Sequence, residues 1–137
     1  MYTFRYLLER VSWFARDRNA VANLTLAHVK RFKLATLRSY EQKLRTMQTQ
    51  VDWRSLPAPT AMDQPSRVEY LQLADLAASA SAQAFEPDAH GNTEPRYLTE
   101  LAPRLYRRPP GALTSYGLKI HPWDSPTKAT LAWVQGL

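Results

Sequence analysis

With 137 residues, 45% of them hydrophobic and 11% aromatic, the chain is long enough to bury a core and too apolar for wholesale disorder. The lack of cysteine excludes disulfides, thiolate chemistry and a zinc finger, and no run approaches the roughly 18 apolar residues of a membrane span. The formal charge of +6 is unevenly spread: residues 1–54 carry 11 Lys or Arg against 4 Asp or Glu, residues 55–94 carry 1 against 6, and residues 95–137 carry 6 against 2. An acidic middle between basic flanks fits a carboxylate site ringed by phosphate-attracting surface, or equally a solvated acidic loop region. The first ten residues do not read as a secretory signal, so the expected location is cytoplasmic, with no membrane partner.

The first helical pattern covers residues 4–17, where Phe4, Leu7, Leu8, Val11, Phe14 and Ala15 repeat at three and four. Arg5, Glu9, Arg10, Arg16 and Asp17 fall mostly on its other face, and the helix should end near Asn19. Residues 21–29 predict a strand of four to six residues, with Leu24, Leu26 and His28 alternating against Asn23, Thr25 and Ala27. A second amphipathic helix follows from about Leu34 to Gln50, using Leu37, Tyr40, Leu44 and Met47. Pro57, Pro59 and Pro65 then interrupt any long element.

A third helix is expected from about Leu71 to Phe85, with Leu73, Leu76 and Ala77 as its core-facing stripe. Residues 87–92 read as a surface turn, residues 97–105 as a short helix, and residues 116–123 as the place for one short strand. One convincing strand cannot make a sheet alone. The chain must therefore draw strands from less regular segments, pair with another subunit, or be the back half of a larger domain.

Three stretches in order, Glu9–Asp17, Leu24–Phe32 and above all Gln72-Leu73-Ala74-Asp75-Leu76, resemble the C-terminal half of the uncharacterised family known as domain of unknown function 3800. Tyr116-Gly117-Leu118-Lys119-Ile120 resembles that family's closing segment. The resemblance implies an α/β fold: a partial or minimal ribonuclease-H-like domain, helix-rich with few strands and completed by oligomerisation. It implies one such domain over residues 1–125 and a tail over residues 126–137. Members of the family begin with a strand ending in an acidic signature, for which this sequence shows no counterpart.

Nucleases of that fold hold divalent metal on carboxylates, so the resemblance makes Asp75 and Asp63 candidate ligands for Mg2+ or Mn2+, with Glu69 a third catalytic acid. Each has a plainer reading: Asp75 and Glu69 as acids beside a helix N-terminus, Asp63 as a turn acid. Arg16, Arg18, Lys30, Arg31, Arg107 and Arg108 are the candidate phosphate contacts, or simply solvated surface. Two functions follow. One is a metal-dependent nuclease or a nuclease-derived nucleic-acid-processing protein. The other is a non-catalytic subunit that binds nucleic acid or protein, as a homo-oligomer or with a protein partner.

Overall fold

The computed structural model describes residues 2–30 and 32–137. Helix α1 (Tyr2–Arg16) forms where the apolar repeat predicts it, and a turn carries it on to Asn19, whose φ of 50° suits asparagine's tolerance of the left-handed region. There the Ala20 N–H returns to the Ala15 carbonyl at 3.0 Å and closes the last turn. Phe4, Leu8 and Ala15 point inward as expected, but so does Glu9, together with Ser12. Glu9 tolerates burial because it accepts from Arg5 Nε at 2.9 Å and lies 3.6 Å from an Arg10 nitrogen. In return Leu7 and Phe14, expected in the core, are 37% and 41% exposed.

Strand β1 (Thr25–Ala27) is shorter than its alternation suggests, and it pairs in parallel with β2 (Ala61–Asp63) in the register Thr25 to Ala61, Leu26 to Met62 and Ala27 to Asp63. The connection between them carries helix α2 (Leu34–Thr46), the crossover that a parallel pair requires. β2 falls in the proline-punctuated stretch that the sequence presents as an interruption; three residues fit between Pro59 and Pro65. Leu24, Leu26 and Met62 pack on a core of Phe4, Leu8, Leu37, Leu44, Val51 and Leu56, so both helices cover the same face of the sheet.

Helix α3 (Glu69–Gln83) starts two residues before the expected position. Its expected core stripe faces water, Leu73 and Leu76 being 59% and 68% exposed, while Leu71 is buried. Two positions along a helix are about 200° of rotation, so choosing Leu71 as the inward residue turns Leu73 outward.

The chain divides into two compact units, Met1–Ala74 and Asp75–Leu137, with the boundary inside α3. The second unit adds α4 (Arg96–Leu101), α5 (Ser125–Thr130) and short 3₁₀ turns around buried Ala84, Leu98, Ala102, Leu113 and Val134. Phe85 stacks on Trp133 with ring centres 5.6 Å apart, and Asp124 caps α5 by accepting from the Thr127 N–H at 3.0 Å. The short strand expected at residues 116–123 is not formed. Tyr116 instead sets its ring edge-on to Tyr106 at 5.8 Å, and Gly117 approaches so closely that a Cβ there would lie 2.6 Å from the Tyr106 carbonyl oxygen. Among the described residues β1 and β2 are the only strands, which makes the fold a helix-rich α/β arrangement with a two-stranded parallel sheet.

Candidate functional site

The three acids singled out by the sequence are held in three unrelated ways. Asp63 ends β2, half-buried, and its Oδ1 accepts from the Gln64 N–H at 2.7 Å, which is the behaviour of a turn acid. Glu69 is the acid in the first turn of α3 and is exposed. Asp75 is not in that first turn but lies in the middle of the helix and is exposed. Its position six residues after Glu69 on one helix separates the two by about 9 Å of rise and turns them to different faces. Among the described residues no three His, Cys, Asp or Glu side chains come together to hold a metal ion. The expectation of metal binding at Asp75 and Asp63 is therefore corrected: a two-metal site needs several carboxylates gathered at one point, and no such cluster forms among the described residues.

Four of the candidate phosphate contacts are engaged within the chain. Arg16 lies 3.7 Å from Asp17, while Arg18 donates to the Phe14 carbonyl at 3.3 Å and lays its guanidinium 3.7 Å from the centre of the Phe14 ring. Arg107 donates to the Ala102 and Leu137 carbonyls, and Arg108 sits over Tyr116 at 5.5 Å. Lys30 is exposed, and Arg31 lies outside the described residues.

What the first unit does assemble is an asymmetric sheet. The Leu24 carbonyl accepts from the Ala61 N–H at 2.9 Å, and the His28 N–H donates to the Asp63 carbonyl at 2.8 Å. In a parallel ladder this commits the even-numbered residues of β1 to β2, and turns the backbone of Thr25 and Ala27 to the opposite edge. Among the described residues nothing bonds to those N–H and C=O groups. The outer edge of β2 is fastened at its two ends, and among the described residues only the Met62 N–H and carbonyl between them are left without a partner. Thr60 donates its N–H to Glu41 Oε2 at 3.0 Å and accepts from Arg38 Nε at 3.1 Å. At the other end the Gln64 N–H is taken by Asp63, and the Gln64 carbonyl accepts from Arg67 and Val68.

Glu41 is the hub of that closure. It is 3% exposed, and its Oε1 accepts from Arg45 at 3.0 Å while Arg45 also donates to the Leu56 carbonyl. Burial pushes the Glu41 carboxyl up, but hydrogen bonding from Thr60 and the Arg45 guanidinium outweigh it and hold the group below the ordinary glutamate value. The Glu41–Arg45 spacing of four on a predicted helix was visible in the sequence, but pairs at that spacing are usual on solvated faces, so it gave no sign of burial.

Beside the open edge runs an apolar groove of about 420 Å³, lined by Phe4, Leu7, Leu26, Val29, Phe32 and Met62 among others. Ala27, which belongs to the open edge, lines it too. Val29 and Phe32 are 46% and 59% exposed. This apolar side was not among the expectations from the sequence; the interleaving of Val29 and Phe32 with Lys30 and Lys33 was the available signal. Compared with family models, curated proteins and solved structures, the chain matches none.

Proposed function

We propose that this chain is a non-catalytic protein-binding module whose two-stranded sheet is completed by a strand from a partner, added along β1. The observation that carries this reading is the difference between the two sheet edges. Bare strand edges are liabilities that proteins close with charges, turns or covering elements. Here the β2 edge is closed at Thr60 and at Gln64, leaving one donor and one acceptor at Met62, while Thr25 and Ala27 keep two donors and two acceptors aimed outward. Strand addition uses that combination: main-chain bonds give affinity and neighbouring pockets read alternate side chains. The resemblance to the back half of a ribonuclease-H-like domain is in keeping with an incomplete sheet of this kind. Engagement of Arg16, Arg18, Arg107 and Arg108 within the chain favours a protein over a nucleic acid as the ligand.

Amide hydrogen exchange by NMR tests the proposal on the full chain. Alone, the Leu26 and His28 amides should exchange slowly and those of Thr25 and Ala27 fast. A panel of extended eight-residue peptides with alternating valine and threonine should then slow Thr25 and Ala27 selectively. Slow exchange at Thr25 and Ala27 without peptide, or an effect of single-stranded DNA or RNA there and of no peptide, would overturn it.

A further inference from the structure

Resting on that reading, we infer that the segment β1 accepts is acidic: an extended strand with alternating apolar residues and aspartate or glutamate at its ends. Two observations converge on this chemistry. The apolar groove adjoins the open edge at Ala27, and Leu7, Val29 and Phe32 leave much of its wall in water, so side chains of an added strand have apolar surface to cover. Lys30 and Lys33 stand exposed where the chain leaves β1, and among the described residues neither makes an ion pair.

The unit as a whole reinforces this local pattern. Residues 1–74 hold twelve Lys or Arg against six Asp or Glu, a net of +6, whereas residues 75–137 hold six of each. All of the net charge therefore belongs to the unit that carries the open edge. A strand of the same sign, including β1 of a second copy, meets repulsion there, and an acidic strand is drawn in. Specificity in this arrangement comes from both parts, attraction of acidic ends and rejection of basic ones.

The test uses three fluorescent peptides that share one valine–threonine core and end in Asp/Glu, Ser/Asn or Lys. Binding to the full chain is read by anisotropy, with amide exchange at Thr25 and Ala27 reporting the place. The acidic peptide should bind about fivefold tighter than the lysine peptide at low salt, the gap should narrow as salt rises, and the double variant Lys30→Glu with Lys33→Glu should reverse the order. Equal binding of all three with Thr25 and Ala27 protected would overturn the charge preference and leave the open edge standing. No protection by any peptide would overturn both. Protection that grows with protein concentration alone would assign the edge to a second copy and also overturn the inference.

Discussion

Glu41 shows what a single side chain does for this fold. A carboxylate 3% exposed would be costly if unpartnered, yet its two oxygens are matched by Arg45 and by the Thr60 N–H. Those bonds fasten β2 to α2 and close one end of a sheet edge, so the residue acts on stability and on binding geometry at once. Glu41→Ala leaves the Thr60 N–H and Arg45 without their acceptor, and should lower the unfolding free energy by about 3 kcal/mol in a urea titration. The pH dependence follows from the direction of the Glu41 shift. Its folded-state value is depressed, so its contribution is fully present above the unfolded value near pH ~4.3 and is lost as pH falls through the folded value. Between about pH 5 and pH 3 the wild-type stability curve should therefore fall more steeply than that of Glu41→Gln. Parallel curves would show that Glu41 does not titrate differently in the two states.

At the scale of elements, the three long helices were legible because each repeats apolar residues over several turns, and their bounds came within a few residues. β2 was not legible: three residues between prolines carry no period, and the strand exists because α2 delivers it beside β1 and Glu41 holds it there. Which face a helix buries was legible only in part. In α1 the charged Glu9 goes inward with its arginines, a choice that hydrophobicity alone cannot anticipate. In α3 the motif around Asp75 looked like a buried helix holding an acid, but the buried residue is Leu71, and Leu73, Asp75 and Leu76 reach water. An apolar stripe specifies a face, and only a neighbour makes that face a core. Leu71→Ala should thus cost about 2–3 kcal/mol, while Leu76→Ala and Asp75→Asn should each stay within about 0.5 kcal/mol of wild type. Thermal melts of the three variants decide it, and a large loss at Asp75→Asn would restore that residue as a structural centre.

For the molecule as a whole, the uneven charge separates two ways of closing the β1 edge. Pairing with a second copy would bring together two units of net charge +6, and pairing with an acidic strand would join opposite signs. Salt screens both interactions, over a Debye length of about 10 Å at 0.1 M, but with opposite consequences. Self-association through β1 should strengthen as salt rises, because repulsion is what limits it. Binding of an acidic strand should weaken over the same range, because attraction is what assists it. Sedimentation equilibrium at low ionic strength should therefore return a monomer of 15.7 kDa. A dimer under those conditions that dissociates on adding salt would mean that attraction between copies dominates. Protection of Thr25 and Ala27 in that dimer would then make β1 a homodimer edge. A monomer whose acidic-peptide affinity falls with salt would leave the edge to a partner of opposite charge.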